Sequence, residues 1–114
     1  MTDGYGAFTP LTLSTTTFTP NLTSEQSFLA VLTTACVCGI ANPTNVGSVV
    51  GQTGVIEIDQ PAAATTTVSW ASDWKFAGGT APTLSTTTGA QDYFSYFVKD
   101  STHVIVSNGA LNAK

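Results

Sequence analysis

The sequence contains no arginine, one histidine and only three lysines, and charged residues make up 9% of its 114 positions. Its net charge at pH 7 is -4. A protein that binds nucleic acid needs cationic side chains to displace the counterions of the phosphates, and anionic membrane surfaces attract proteins through the same kind of charge. The composition therefore excludes nucleic acid and membrane surfaces as the main partners.

Long apolar runs are also missing. The most apolar stretch, residues 28–41, is shorter than the roughly 20 residues that span a bilayer, and two threonines interrupt it. The first eight residues have neither the basic nor the apolar region of a secretory signal. These absences predict a chain with neither a transmembrane segment nor a signal peptide.

Cysteine occurs only twice, as Cys36 and Cys38. On a strand these two side chains would share a face about 6.5–7 Å apart, at or beyond the edge of disulfide reach. We expect two small buried side chains in a reducing compartment. The alternative is half of a zinc site, which copies of the chain would have to complete because no second Cys or His pair exists in the sequence.

Hydroxyl side chains supply the polarity that charge does not. The chain has 21 threonines and 10 serines, and 42% of its residues are hydrophobic. Threonine is stiff at χ1 and suits a pleated surface. No segment combines a 3.6-residue period with proper helix caps. The sequence therefore predicts an all-β domain whose surface is rich in hydroxyls and nearly uncharged.

Alternating side chains mark the strands of residues 25–114, which we interpret as the body of the domain. In residues 55–60, Ile56 and Ile58 are predicted to point inward and Glu57 and Asp59 outward. The spacing of strands and turns predicts a small antiparallel β-sandwich of the jelly-roll type. The predicted core consists of large apolar side chains, namely Ile56, Ile58, Val68, Trp70, Phe76 and Phe94.

Residues 1–24 are interpreted as an extended N-terminal arm, because prolines break any long regular element there. The arm carries apolar anchors, which are Tyr5, Phe8, Leu11, Leu13 and Phe18. Ordering the backbone of about 15 residues costs about 1–2 kcal/mol each, more than the anchors return. We expect the arm to add as a strand to the sheet edge of another subunit. Two alternatives remain: residues 11–19, between the two prolines, form an edge strand, or the arm is a flexible tail.

Residues that could carry chemistry are few. Glu57 and Asp59 share a face, as a glycosidase pair would, but the simpler interpretation is the solvent side of a strand. His103, the only histidine, is interpreted as a satisfied or edge histidine. Trp70 and Trp74 either line a sugar site or support the core. No phosphate loop, dinucleotide fingerprint or nucleophile elbow is present. We predict no catalytic residue, no cofactor and no metal.

Four blocks, in order, suggest a family. They are GQTGVIEI at 51–58, SW-x3-WKF at 69–76, GGTAPTLSTT at 78–87 and DYFSYFV at 92–98. Together with the strands before them they resemble a small β domain of tailed-bacteriophage virion proteins, found in decoration proteins, head fibres and tail fibres. The resemblance covers roughly residues 21–108. It implies a virion structural protein, made in the cytoplasm of a bacterial host, and a homotrimer.

Two hypotheses follow from the resemblance. The first is a capsid decoration (cement) protein, whose partners would be copies of itself and the major capsid protein or other virion proteins. The second is a tail-fibre, spike or baseplate component that recognises a host surface glycan, with Trp74 as a candidate contact. Fibre chains are usually long and repetitive, whereas this chain is short and unrepetitive. Decoration of the capsid surface is therefore the first expectation.

Overall fold

A computed structural model describes residues 8–11, 13, 16–24, 26–33, 38–62 and 67–112. These residues are mostly β, as the threonine-rich composition predicts, and none of their helices is long and apolar enough to cross a membrane. The nine strands are β1 (Thr9–Pro10), β2 (Thr17–Phe18), β3 (Phe28–Val31), β4 (Cys38–Ile40), β5 (Thr53–Asp59), β6 (Val68–Trp70), β7 (Trp74–Phe76), β8 (Gln91–Asp100) and β9 (His103–Asn108).

The strands form a large sheet of order β1-β3-β5-β8-β9-β7 and a small sheet of order β2-β4-β6. From β1 to β7 the chain alternates between the two sheets, so it returns to each sheet in the same direction. Five of the seven strand pairs described are consequently parallel, and only β5–β8 and β8–β9 are antiparallel. The expectation of an antiparallel fold is wrong for these five pairs. Alternating side chains reveal a strand but not the direction of its partner.

Buried side chains from both sheets form one hydrophobic cluster. Ile56, Ile58 and Phe94, all predicted core residues, are at most 1% exposed. Val68, Trp70 and Phe76 differ from the prediction, because they are only partly buried and pack against the margin of the cluster. Val68 and Trp70 lie in β6, an edge strand of the small sheet, where one side of the strand has no neighbour.

The described part of the arm packs on its own chain. β1 pairs with β3 of the large sheet, and β2 pairs with β4 of the small sheet. Phe18 is 1% exposed within the hydrophobic cluster, Leu11 and Leu13 pack against it, and Phe8 makes an edge contact with Tyr93 at 6.2 Å between ring centroids. Tyr5 lies outside the described residues.

The position of β2 at the edge of the small sheet agrees with the edge-strand alternative, whereas it differs from the expectation of an arm that pairs only with another subunit. The main-chain hydrogen bonds that the arm needs are available on its own sheets, as in the bond from the Leu11 N–H to the Leu29 carbonyl at 2.8 Å. The division between residues 1–24 and 25–114 therefore does not correspond to a division of the hydrophobic core.

The cysteine expectation is corrected by the structure, in which Cys38 is disulfide-bonded. The only other cysteine of the sequence, Cys36, lies outside the described residues. The expected burial of Cys38 is confirmed, since the residue is 0% exposed, whereas its interpretation as a reduced thiol is wrong.

Candidate functional site

Trp74 is not available to a glycan. Its side chain is 3% exposed, and its indole N–H donates to the carbonyl of Ala41 at 2.9 Å. Trp70 packs edge-on against it, with 5.5 Å between ring centroids. The expectation of Trp74 as a glycan contact is therefore wrong, because the indole serves to connect β7 to the end of β4.

A groove of ≈ 580 Å³ lies on the outer face of the large sheet. It crosses β5, β8 and β9 and is bounded on one side by residues 26–27. None of its lining residues carries a charge. They are Gln26, Ser27, Thr53, Gly54, Val55, Ser95, Tyr96, Phe97, Ile105 and Ser107.

Gly54 allows the wall of the groove to form. A Cβ at this position would lie 1.9 Å from the carbonyl oxygen of Gln26 and 2.7 Å from the ring of Tyr96. The Tyr96 hydroxyl donates to that same carbonyl at 2.5 Å, and the Gln26 amide donates to the Thr53 carbonyl at 2.8 Å. The absence of a side chain at residue 54 thus leaves room for residues 26–27 to lie close against β5 and β8, and the two hydrogen bonds hold them there.

The floor of the groove consists of two rows in register across three strands. One row contains Val55, Ser95 and Ser107, and the next contains Thr53, Phe97 and Ile105. Phe97 is 44% exposed. Within the described residues, the hydroxyls of Thr53, Ser95 and Ser107 make no hydrogen bond to protein. The floor therefore presents an aromatic ring surrounded by hydroxyls that are free to bind a ligand.

A second cluster lies on the same outer face, beside the groove. Glu57 and Tyr93 are in register, and Asp59 follows Glu57 on the same side of β5. Burial raises the pKa of Glu57 to about 7, the hydrogen bond and charge of Asp59 add to the rise, and a hydrogen bond from Tyr93 opposes it. Burial also raises the pKa of Tyr93, with the two carboxylates adding to the effect.

The outward prediction for Glu57 and Asp59 is thus right in direction, but neither side chain is fully exposed. One oxygen of Asp59 is buried without a hydrogen-bond partner among the described residues. No group of three or more metal-ligating side chains occurs in the part of the chain that the structure describes. The cluster thus consists of two carboxyls beside a phenol. Because the pKa of Glu57 is about 7, this carboxyl can exchange a proton near neutral pH.

His103 contributes to a turn. Its Nδ1 lies 2.7 Å from Oδ1 of Asp100, and the Thr102 N–H donates to that same carboxylate at 2.9 Å. The bond from the Thr102 N–H is the main cause that lowers the pKa of Asp100 to about 2, and His103 adds to the effect. These contacts close the turn between β8 and β9, in agreement with the interpretation of a satisfied histidine; the alternative of an edge histidine does not hold, because β9 lies between β8 and β7.

Phe97 was not predicted to be a surface residue. The block DYFSYFV at 92–98 is rich in aromatic side chains, and its two faces were not distinguished. Because Phe94, Tyr96 and Val98 are all buried, the intervening Ser95 and Phe97 point outward. The signal was therefore present in the period-2 pattern of this run.

Comparisons of the chain with protein-family models, with curated proteins and with solved structures find no match in any of the three.

Proposed function

We propose that this chain is a non-enzymatic structural protein of a tailed-bacteriophage particle, most simply a capsid decoration protein that bridges neighbouring subunits. The observation that carries the proposal is the position of the sequence blocks that resemble virion proteins. Three of the four coincide with strands: residues 51–58 include most of β5, residues 69–76 include most of β6 and all of β7, and residues 92–98 lie within β8. The resemblance thus involves the elements that build both sheets.

The character of the surface supports assembly over catalysis. The groove lining contains no carboxylate, imidazole or amine that could transfer a proton. Charged groups are costly to remove from water when surfaces associate, and only 9% of this chain is charged. A surface dominated by hydroxyls and small apolar groups therefore suits a protein that covers, and is covered by, other subunits.

The partners in this proposal are copies of the chain in a homotrimer and the major capsid protein. Bridging through the arm would require exchange, in which β1 and β2 leave the edges of β3 and β4 and pair with the same edges of a neighbouring copy. The edges and the register are those already used within one chain. The isolated protein would then keep its arm folded on itself, and only the assembled particle would contain exchanged arms.

The fold that accompanies the proposal is a two-layered sandwich. Its support is the single hydrophobic cluster, to which Phe18 and Ile40 of the small sheet and Phe28 and Ile56 of the large sheet contribute. A jelly roll is built from antiparallel Greek keys, so the parallel pairs on both sheets argue against that variant. A crystal structure of the purified protein would measure both the packing of the sheets and the arm connections.

The test is the copy number of the chain in purified particles, measured by quantitative mass spectrometry against the major capsid protein. Hundreds of copies per particle would support decoration of the capsid surface. A few dozen copies or fewer would indicate a fibre, spike or baseplate location in the tail. Absence of the chain from purified particles, with particles of unchanged heat resistance when its coding sequence is deleted, would refute a structural role in the virion.

A further inference from the structure

We propose that the outer-face groove binds a neutral saccharide, with Phe97 as the platform for the sugar ring and the hydroxyls of Thr53, Ser95 and Ser107 as its hydrogen-bond partners. This inference does not depend on the location of the protein in a particle, because a capsid protein and a tail protein could both contain such a site.

The first argument is the chemistry of the lining. Small-molecule sites combine apolar surface with a few polar groups that fix orientation, and their volumes run from about 300 to 1,000 Å³. This groove has a volume of ≈ 580 Å³ and combines one exposed aromatic ring with hydroxyls and an amide. A sugar ring has the complementary composition, since it presents an apolar face of C–H groups and a perimeter of hydroxyls.

The second argument is the geometry of the floor. Neighbouring strands lie about 4.8 Å apart, and residues two apart on one strand lie about 6.5–7 Å apart. Ser95 is two residues from Phe97 on β8, and Ser107 is the partner of Ser95 on β9. A ring stacked on Phe97 therefore lies within reach of hydroxyls from two strands, and these hydroxyls have no competing protein partner among the described residues.

The third argument is charge. Because no lining residue is charged, a phosphate, sulfate or carboxylate would find no cation in the groove. Lys75 is in register with Ile105 on the far side of β9, but it does not line the groove. The hydroxyls of a neutral sugar can exchange bonds to water for bonds to the groove, whereas a ligand with a formal charge would lose its hydration without gaining a counter-charge.

A protein strand is a poorer occupant. β5 and β8 each have a neighbour on both sides, so the backbone beneath the groove cannot accept an added strand. Phe97 is the one large apolar side chain in the lining with an exposure above 40%. Stable protein interfaces bury roughly 800 Å² on each partner, which needs a broader apolar centre than one phenyl ring.

The experiment is a titration of the full-length, ¹⁵N-labelled protein, followed by NMR. The probes are neutral di- and trisaccharides of glucose, galactose and N-acetylglucosamine, and sialyllactose is the acidic comparison. Because the groove is shallow, we expect a Kd of about 1 mM for at least one neutral probe. Shifts should be confined to the amides of the groove, and Phe97→Ala should raise this Kd by about 10-fold or more.

Val31→Ala is the matched control. Val31 is 49% exposed on the same face of the large sheet and does not line the groove, so this variant should bind like the wild type. Unchanged thermal unfolding of Phe97→Ala would establish that the variant is folded, and the conservative Phe97→Tyr should retain binding.

Four outcomes would overturn the inference. One is the absence of groove shifts with every neutral probe at about 20 mM. Another is binding of sialyllactose alone, or binding that survives in Phe97→Ala. The last is self-association: shifts at the groove amides would depend on protein concentration in the absence of sugar and would disappear in Phe97→Ala. That result would identify a second copy of the chain as the occupant of the groove.

Discussion

Asp92 is a buried carboxylate that connects two distant segments to the end of β8, and its removal should be strongly destabilising. The side chain is 1% exposed. One oxygen accepts the Ser85 N–H at 2.7 Å, and the other accepts the Ser85 hydroxyl at 2.6 Å and the Asn112 N–H at 2.8 Å. The carboxylate therefore holds both the loop before β8 and the segment after β9.

The magnitude follows from what each substitution leaves behind. Asp92→Ala leaves two main-chain donors and one hydroxyl without an acceptor, and hydrogen bonds to a charged group contribute about 1.5–3 kcal/mol each. Since such losses are not additive and water can enter, we expect a total of about 3–5 kcal/mol. Asp92→Asn keeps one acceptor oxygen but turns an amide donor toward existing donors, so about half of that loss is expected.

The assay is urea unfolding, followed by tryptophan fluorescence. Ser85→Ala removes only the hydroxyl and should cost about 1 kcal/mol. Asp73→Ala is the control, because the Asp73 side chain makes no hydrogen bond to the described residues, and it should stay within about 0.5 kcal/mol of the wild type. If Asp92→Ala were no more destabilising than Asp73→Ala, the view that this carboxylate satisfies buried donors would be refuted.

Three further predictions concern Glu57, Asp100 and Gly54. Because the pKa of Glu57 is about 7 in the folded protein and 4.5 ordinarily, the wild type should lose stability as pH rises from 4.5 to 7. After solvent screening the loss is about 1–2 kcal/mol. Urea melts at several pH values should show this loss in the wild type and not in Glu57→Gln. An equal dependence of unfolding free energy on pH in both proteins would contradict the burial argument. The pKa of Asp100 is lowered to about 2, so its stabilisation is present above pH 3.8 and is lost as pH falls toward 2, and Asp100→Asn should flatten that acid limb in the same melts. Gly54→Ala should cost about 1–3 kcal/mol or more in thermal unfolding, because its Cβ would overlap the backbone of Gln26. Gly47→Ala is the control and should cost less, since the nearest atom to its Cβ lies 3.4 Å away. Equal losses would show that residues 26–27 can move away at little cost in free energy.

The inward and outward pattern of the central strands could be predicted from sequence, because each position contributes its own signal. Ile56 and Ile58 alternate with carboxylates, and that alternation is enough to place them in the core. The same pattern, extended back from Phe94, would have placed Asp92 inside. The burial of Asp92 was not predicted, because a carboxylate is ordinarily assigned to the surface. Donors from the loop before β8 and from the segment after β9 offset the cost of burying it, and these contacts are not visible in the sequence.

Neither the pairing of the strands nor the groove could be predicted from sequence, because both depend on tertiary structure. Strand direction follows from how the chain passes between the two sheets, and no single strand encodes it. Phe18 was interpreted as an anchor for another subunit. The cluster that buries it consists largely of residues later in the chain, so its burial in its own subunit could not be predicted from the residues around it. The groove likewise requires Gly54, Gln26 and Tyr96 to meet, although only the glycine is notable in the sequence.

The order in which strands pair has a consequence for a chain emerging from the ribosome. β1 can add only to β3, β3 only to β5, and β5 obtains its antiparallel partner from β8. The residues made first are therefore the last to find a complete edge, and they must wait until most of the chain has been synthesised. During that interval hydrophobic side chains such as Phe28 of β3, which is fully buried in the folded protein, are exposed to solvent and to other nascent chains. Translation rate through the final strands should therefore govern the yield of folded protein more strongly than translation rate through the first.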